Sequence, residues 1–293
     1  MLSVLIPIYN FDVRILVNEL SVQAGNLSET IEILCIDDGS SREYRQHHRP
    51  LAALQNVSYI ELENNIGRAA IRNLLAKKAK YDYLLFMDSD AKIISTHFLS
   101  NYFNLLPTPS VWMGGRVYAK SAPSNPDFYL HWLYGTKRES MPVKLRKKQP
   151  FHHFMTNNFL IPRSIFFDVP IDEEVKGYGH EDTLWGFSLQ AAGYQIEHID
   201  NPVLHLGLEP AAVFLNKSEE AVHNLFEIHQ RGKKISSKLL SAYLILQKYH
   251  LTNIFKALVC PFLPFFERNL NSAHPNLHFL DLWKLCKMLT NSK

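Results

Sequence analysis

Two carboxylates, Asp88 and Asp90, directly follow the apolar run from Tyr83 to Met87, with only Ser89 between them. Neighbouring acids repel each other and resist removal from water, so a buried strand that runs into them needs a physical reason. Carboxylate oxygens at the mouth of a strand suit Mg²⁺ or Mn²⁺, which take few protein ligands and share the phosphate oxygens of a substrate. A single pair of this kind is more often a solvated turn, so the metal interpretation depends on the other polar clusters of the chain.

A second acid pair, Asp37 and Asp38, stands in the motif DDGS. A carboxylate at a strand end can accept a hydrogen bond from a base imide or a ribose hydroxyl, and Gly39 lets the backbone turn sharply. The same residues also form ordinary Asx-type turns. Tyr9, which follows Pro7 at the end of the first apolar run, is either a stacking partner for a flat base or a half-buried core tyrosine.

The segment ENNIGRAAIRN combines a loop, which contains Asn65 and Gly67, with the predicted start of a helix. Helix N-termini attract phosphate groups. Arg68 and Arg72 lie four residues apart and therefore on one face of that helix, from which both can reach a diphosphate. The alternative is that each is an ordinary surface arginine.

Two further clusters occur later in the chain. Glu181 and Asp182, in the motif GHED, are predicted to open a helix, whose dipole favours the ionised form of both side chains. An ionised carboxylate that faces a crevice is a candidate general base, although a helix-capping pair has the same sequence pattern. His205, in the extended run NPVLHLG, either completes a metal site or has a structural role.

Apolar periodicity places the polar clusters of the first part of the chain at strand ends. Strands and helices alternate there, which indicates a mostly parallel sheet covered by helices on both faces. Ligands bind beyond the carboxyl ends of such strands, so the polar clusters predict one crevice. The predicted strands are residues 3–8, 31–36, 57–62 and 83–87, and helical patterns occur at residues 13–20, 42–54 and 68–80.

The rest of the chain divides into an irregular middle and a basic helical end. Residues 111–119 and 158–161 are predicted strands, and residues 137–150, with six basic residues, one acid and two prolines, are predicted to be a solvated, mobile loop. From Ala211 onward there are 11 Lys and Arg against 5 Asp and Glu, whereas the remainder has 20 against 23. We therefore expect a catalytic domain at residues 1–210 and a basic amphipathic helical extension at residues 211–293. This extension either packs on the body, which is the more ordinary arrangement, or lies on an anionic membrane.

The composition fits a globular protein, with 46% hydrophobic and 20% charged residues among 293. A net charge of +3 does not point to nucleic acid as a partner. Three cysteines far apart in the sequence suit a reducing compartment. The opening MLSVLIPIYN has no basic n-region, so it is interpreted as a strand and not as a signal peptide, and no apolar run reaches the length of a membrane span.

Taken in order, these strings resemble the family-two inverting glycosyltransferases with the Rossmann-like GT-A fold. They are VLIPIYN, CIDDGS, NNIGRAAIRN, LLFMDSDAKI, and GYGHEDTLWGFSLQAAGY with NPVLHLG, and the likeness covers roughly residues 2–207. The later strings are also similar to the acceptor-side motif of the galactosyltransferase-like and chondroitin-polymerase-like branch. The resemblance implies a mixed, mostly parallel sheet with helices on both faces, followed by the helical extension.

The resemblance also implies roles for the donor side. Tyr9 and Asp38 would hold the base, usually uracil, while Asp37 supports its strand end. Asp88 would touch the ribose or the donor sugar. Arg68 fits a position near the diphosphate only loosely. The predicted donor-binding residues are Pro7, Tyr9, Asp37, Asp38, Asn65, Gly67, Arg68, Arg72, Asp88 and Ser89.

On the reacting side, the resemblance implies that Asp90 and His205 bind Mn²⁺ or Mg²⁺, that Asp182 is the base and that Glu181 orients the acceptor. The expected reaction is a single displacement that transfers the sugar of a UDP-sugar to a hydroxyl of a saccharide or glycolipid. We expect it to take place in the cytoplasm or on the inner face of the membrane, as a step of cell-surface polysaccharide synthesis. The alternatives are a non-catalytic nucleotide-sugar-binding module and a phosphatase of the haloacid-dehalogenase type. Lys92 disfavours the phosphatase, because that position of its motif is commonly Thr or Val.

Overall fold

The computed structural model describes residues 1–291. The strands are β1 (Leu2–Ile8), β2 (Ile31–Asp37), β3 (Val57–Glu61), β4 (Tyr83–Met87), β5 (Ala91–Ile93), β6 (Val111–Met113), β7 (Arg116–Val117), β8 (Asn158–Pro162), β9 (Ile196–His198) and β10 (Val203–His205). The α-helices are α1 (Arg14–Gly25), α2 (Arg42–His48), α3 (Arg68–Lys78), α4 (Phe98–Phe103), α5 (Tyr129–Tyr134), α6 (Val143–Arg146), α7 (Arg163–Asp168), α8 (Glu181–Ala191), α9 (Ala211–Gln230), α10 (Lys238–Lys248), α11 (Thr252–Leu258), α12 (Leu263–Leu270) and α13 (Leu277–Asn291).

The central sheet has seven strands in the order β3-β2-β1-β4-β8-β6-β9. The β-branched and apolar run of β1 pairs with parallel strands on both edges, and its side chains are almost entirely buried because helices cover both faces of the sheet. Strand β8 is antiparallel to both β4 and β6. The sheet is therefore mixed but mostly parallel, which confirms the fold class expected from the sequence.

A second sheet of three strands, in the order β5-β10-β7, lies beside the end of β4. Its pairing places His205 opposite Ala91, the residue after Asp90. The predicted strand at residues 111–119 is wrong in one respect, because it splits into β6 and β7, which belong to different sheets. The split occurs at Gly114, where a Cβ atom would lie 2.3 Å from the Tyr102 hydroxyl.

Apolar side chains cover both faces of the central sheet. Helices α1 and α4 pack on one face, and α3, α7 and α8 pack on the other. On the second face, the Phe86 ring stacks on Phe159 at 4.9 Å and on Phe166 at 5.2 Å between ring centroids. Trp185 of α8 packs edge-on against Phe159 at 5.4 Å, so this aromatic cluster fixes α8 against the sheet.

The basic segment at residues 137–150 exposes Lys137, Lys144, Lys147 and Lys148, as its composition predicts, but it contains the short helix α6 and one buried anchor. Its Arg146 is only 3% exposed. The guanidinium donates to the carbonyl oxygens of Met113 at 3.2 Å, Gly114 at 3.0 Å and Ile199 at 2.9 Å. The prediction of a mobile loop missed this anchor, because a guanidinium carries five N–H donors, which here bond to carbonyls beside the ends of β6 and β9.

The C-terminal helices, of which α9 begins at Ala211, pack on the preceding part of the chain. Leu130 of α5 shares one buried cluster with Phe214 of α9 and Trp283 of α13. The Asn224 side chain of α9 donates to the carbonyl of Tyr178 at 3.1 Å, in the loop before α8. Across residues 1–291, every helix is too short or too polar to cross a membrane.

We predict that Arg146→Met lowers the free energy of unfolding by about 3 kcal/mol or more, because at least two buried carbonyls lose their donor and each costs ~1–3 kcal/mol. Urea denaturation measures the change. The matched control is Lys148→Met, an exposed basic residue of the same segment, which should change stability by less than about 0.5 kcal/mol. Equal stabilities of the two variants would contradict the anchoring role of Arg146.

Candidate active site

A cavity of about 960 Å³ lies beyond the carboxyl ends of β1, β2 and β4. The helix α3 begins at its edge, and the loop before α8 and the helix α9 close its far side. The structure therefore brings residues from four separate sequence motifs to one place. The predicted residues in its lining are Pro7, Tyr9, Asp38, Asn65, Gly67, Arg68, Arg72, Asp88, Ser89 and Asp90.

At one end of the cavity, Tyr9 is 54% exposed, so it is not the half-buried core tyrosine of the alternative interpretation. Asp38 is buried beside it. Its Oδ1 accepts the amide of Ile66 at 2.7 Å, and its Oδ2 accepts the amide of Gly67 at 3.2 Å. The Asp38 carboxylate thus fixes the loop before α3, while each oxygen retains a lone pair for a ligand.

Asp37 is fully buried and does not line the cavity. Its Oδ1 accepts the amide of Ser40 at 2.7 Å. Burial by itself would raise the pKa of Asp37, but the His48 imidazole 3.8 Å away and the hydrogen bonds from Ser40 and Tyr59 outweigh burial and lower it. Of this acid pair, Asp38 therefore lies at the ligand cavity, whereas Asp37 supports the turn that contains Ser40.

Glycine is required where this turn meets the next loop. Gly39 has φ of +75°, and a Cβ atom there would lie 2.7 Å from the carbonyl carbon of Asn64. Gly67 has φ of +94° directly before α3. Both positions lie in the left-handed region that side chains rarely adopt, so these two glycines let the strand-end loops of β2 and β3 pack together.

Arg68 and Arg72 join the ends of α3, β4 and α8. Arg72 is buried, and its Nη2 lies 2.5 Å from Asp88 Oδ1. Arg68 Nε lies 2.9 Å from Glu181 Oε1, and its guanidinium covers the Tyr178 ring at 5.1 Å from the ring centroid. Each arginine has a buried or partly buried carboxylate partner, so neither is the ordinary surface arginine of the alternative interpretation.

Asp90 and His205 form the candidate metal centre. His205 Nδ1 lies 3.4 Å from Asp90 Oδ1, and His205 Nε2 is buried without a hydrogen-bond partner among residues 1–291. A Cβ atom on Gly207 would lie 2.4 Å from Asp90 Oδ2, so glycine is needed for this approach. Burial opposes the ionisation of Asp90, but the hydrogen bond and charge of His205, with Arg116, lower its pKa to about 2.

A carboxylate oxygen and an imidazole nitrogen at this separation fit one shared divalent cation. In the part of the chain that the structure describes, no three His, Cys, Asp or Glu side chains are arranged to hold a cation. A cation at Asp90 and His205 therefore needs further ligands from water or from a bound phosphate group.

The pKa values of the two carboxylates that open α8 are shifted in opposite directions. Burial would raise the pKa of Glu181, but the charges of Arg68 and Arg72 outweigh burial and lower it. Burial and the charge of Glu181 raise the pKa of Asp182 to about 6. For Asp182, burial therefore opposes the ionised form that the helix dipole favours. Neither acid lines the cavity, but Glu181 connects to it through Arg68.

Several residues that the sequence did not single out surround the same site. The Nη1 atom of Arg116, a residue of β7, lies 3.4 Å from Glu139 Oε2. The Tyr118 hydroxyl donates a hydrogen bond to the same oxygen at 2.5 Å. Lys217 of α9 lines the cavity and covers the Tyr178 ring at 5.1 Å. These residues come from distant segments without a shared motif. The one signal in the sequence is Glu139, the single acid of a basic segment.

A family model described as Glycosyl transferase family 2 matches residues 3–169. The chain is 24% identical over 249 residues to the uncharacterized glycosyltransferase YfnE of Bacillus subtilis (strain 168). This match covers 65% of the chain but 60% of YfnE, so the chain spans less than two thirds of that relative.

Two solved structures are similar over most of the chain. One is the mannosyltransferase PcManGT from Pyrobaculum calidifontis in complex with GDP-Man and Mn²⁺, with a TM-score of 0.54 at 15% identity over 99% of this chain and 73% of that chain. The other is glucosyl-3-phosphoglycerate synthase from Mycobacterium tuberculosis in complex with Mn²⁺, UDP and glucosyl-3-phosphoglycerate, with a TM-score of 0.54 at 15% identity over 81% of each chain. These likenesses confirm the GT-A fold.

We predict that Glu181→Gln lowers the pKa of Asp182 from about 6 toward the ordinary value of 3.8, because the variant removes a neighbouring negative charge. Carbon-13 NMR of aspartate-labelled protein measures this titration, and the Asp182→Asn variant assigns the signal. Glu173→Gln, an exposed acid on the cavity rim, is the matched control and should leave the titration unchanged. An unchanged or higher Asp182 pKa in Glu181→Gln would contradict the electrostatic coupling.

Proposed function

Because the chain belongs to glycosyl transferase family 2, we propose that it transfers a sugar from a nucleotide-diphosphate donor to a hydroxyl of a saccharide or glycolipid acceptor. One observation carries this proposal. A single cavity joins an exposed aromatic ring, Tyr9, to the paired charges of Arg68, Arg72, Asp88 and Asp90. That order matches a nucleotide sugar, in which a flat base, a ribose, a diphosphate and a sugar follow one another.

The donor is proposed to lie along the cavity from Tyr9 toward α8. Tyr9 stacks on the base, and Asp38 accepts a hydrogen bond from it, while Asn65 and Gly67 shape the loop beneath. Asp88 and Ser89 face the ribose or the donor sugar. The base is proposed to be uracil, supported by the UDP bound to the synthase from Mycobacterium tuberculosis, whereas PcManGT carries GDP-Man.

Arg68 and Arg72 are proposed to meet the diphosphate. Arg68 and Arg72 already pair with carboxylates, so their positive charges are compensated when no donor is bound. A bound donor would share or replace these carboxylate partners. A guanidinium offers several donors in a planar fork that suits phosphate oxygens. These arginines would therefore stabilise negative charge that grows on the departing diphosphate.

Asp90 and His205 are proposed to hold a divalent cation, which supplies Lewis-acid neutralisation of the leaving diphosphate when bound. The imidazole ligand favours Mn²⁺ over Mg²⁺, since Mg²⁺ prefers an all-oxygen shell. The Mn²⁺ of both similar structures supports this choice.

The reaction proposed is a single inverting displacement. The acceptor oxygen attacks the anomeric carbon from the face opposite the diphosphate; the new carbon–oxygen bond forms as the bond to the diphosphate breaks. The hydroxyl proton passes to Asp182, whose pKa of about 6 keeps it ionised at neutral pH yet basic enough to accept the proton. Glu181 is held by Arg68 and is proposed to orient the acceptor.

A non-catalytic nucleotide-sugar-binding module would use the same cavity. The raised pKa of Asp182 favours catalysis, because binding alone does not require a carboxylate tuned in this way. The family match removes the basis for the phosphatase alternative. We further propose that the enzyme acts in the cytoplasm on the synthesis of a cell-surface polysaccharide or glycolipid, which the three free cysteines support.

A thermal-shift screen of nucleotide sugars with Mn²⁺ identifies the donor, since a ligand at 100 times its Kd stabilises the fold by ~2.7 kcal/mol. Release of nucleotide diphosphate from that donor then separates an enzyme from a binding module. Tight binding without any release, in the presence of a range of saccharide acceptors, would favour the module.

We expect Asp182→Asn to lower kcat by at least ~10²-fold while donor Kd stays nearly unchanged, because the amide cannot accept the proton but keeps the shape of the side chain. Steady-state kinetics and calorimetry measure the two quantities. Asp127→Asn, an exposed acid remote from the cavity, is the control. Normal turnover of Asp182→Asn would show that another group is the base.

Asp90→Ala should abolish the Mn²⁺-dependent part of donor binding, because it removes the carboxylate ligand. Gly207→Ala should weaken the same component, since its methyl group displaces Asp90 Oδ2. Isothermal calorimetry with and without Mn²⁺ measures both effects, with Asp127→Ala as the control. Unchanged metal and donor affinity in Asp90→Ala would refute the ligand assignment.

A further inference from the structure

The surface of the C-terminal helices carries an unusual concentration of exposed apolar side chains. Eight of the eighteen large apolar side chains that are strongly exposed in residues 1–291 fall between residues 244 and 265. Each is 39% to 66% exposed to solvent. Large exposed apolar patches mark interaction sites. We call this surface the apolar face; it consists of Leu244, Ile245, Tyr249, Leu251, Ile254, Leu258, Phe262 and Phe265.

The centre of the apolar face makes no contribution to the core. Neither α11 nor the 3₁₀ turn Cys260–Phe262 contains a buried residue. Ile254 and Leu258 lie four residues apart, on the same side of α11, and Leu258 is 66% exposed. Phe255 of α11 packs against the buried cluster that contains Leu240 and Tyr243. Packing within the chain does not explain why Ile254, Leu258 and Phe262 are apolar.

The charge of this region has one sign. Between Glu227 and Glu267 the sequence contains no Asp or Glu but six Lys and Arg. Two of these, Lys248 and Lys256, lie among the residues of the apolar face. The remaining four are Arg231, Lys233, Lys234 and Lys238, of which Arg231 pairs with Glu227 and Lys233 pairs with Asp172.

A polar recess of about 380 Å³ opens where α10 turns into α11. Its lining includes Gln247, His250, Asn253 and Lys256, all of which carry groups that can donate hydrogen bonds to an anion. Apolar side chains next to a polar recess that contains Lys256 match the two layers of a lipid surface, in which acyl chains lie below phosphate headgroups.

We propose that the apolar face docks on the surface of an anionic lipid bilayer. The apolar side chains enter the headgroup region, and Lys248 and Lys256 lie next to lipid phosphates. A second copy of the chain is a poorer occupant, because two such faces bring like charges together. The proposal does not depend on the transferase chemistry, since none of these residues belongs to the candidate active site.

Vesicle sedimentation of the full chain tests the proposal. We expect the protein to sediment with vesicles of phosphatidylcholine and phosphatidylglycerol, to bind vesicles of phosphatidylcholine alone much more weakly, and to dissociate as salt rises. Lys248→Gln/Lys256→Gln should weaken binding about fivefold for each lysine, since one basic residue at an anionic surface contributes ~1 kcal/mol. Leu258→Ser/Phe262→Ser should weaken binding by roughly tenfold or more.

Matched controls come from other exposed positions. Ile15→Ser/Val22→Ser removes two exposed apolar side chains of α1, and Lys77→Gln/Lys78→Gln removes two exposed charges of α3. Circular dichroism verifies that every variant folds, and Mn²⁺-dependent binding of a nucleotide sugar verifies an intact cavity. Three results would overturn the proposal: no sedimentation with anionic vesicles, equal losses in the control variants, or self-association in analytical ultracentrifugation that the Leu258→Ser/Phe262→Ser change abolishes.

Discussion

Neutralising several carboxylates at one edge of a sheet is the constraint on which the rest of this structure depends. Asp88, Asp90, Glu181 and Asp182 gather near one cavity, where their mutual repulsion and partial burial are both unfavourable. Arg72 pairs with Asp88, Arg68 pairs with Glu181, and His205 approaches Asp90. Asp182, for which residues 1–291 supply no salt-bridge partner, has a raised pKa. The pairing of charges that stabilises the site thus keeps Glu181 an anion and leaves Asp182 with a pKa near neutrality, as a base requires.

The helical extension is part of this arrangement. Asn224 of α9 holds the loop before α8, and Lys217 of α9 shares the Tyr178 ring with Arg68. Gly177 and Gly179, on either side of Tyr178, have positive φ angles and lie so close to α9 that a Cβ atom on either would clash with it. The position of the proposed base therefore depends on residues far beyond the segment that matches the family model.

Much of the site was predictable because a motif at the end of a strand must lie at the edge of the sheet. A strand that ends in DDGS or DSD places its acids at the edge of a parallel sheet wherever the strand lies within that sheet. Asp38, Arg68, Arg72, Asp88 and Asp90 therefore line one cavity, as the spacing indicated. Predictions from composition were less successful: a run of basic residues indicated a mobile loop, yet Arg146 within it is buried.

By itself, the sequence determined the alternation of strands and helices, the strand ends at which the polar motifs stand and the basic helical end, because periodicity and turn chemistry are local. Only the tertiary structure decided that Asp37 is buried outside the cavity lining and that Lys217 joins this lining. It also decided that Arg116 pairs with Glu139 and that burial raises the pKa of Asp182 to about 6. Those outcomes depend on burial and on charges brought together from distant segments. A local pattern of residue types does not predict contacts between segments that are distant in the sequence.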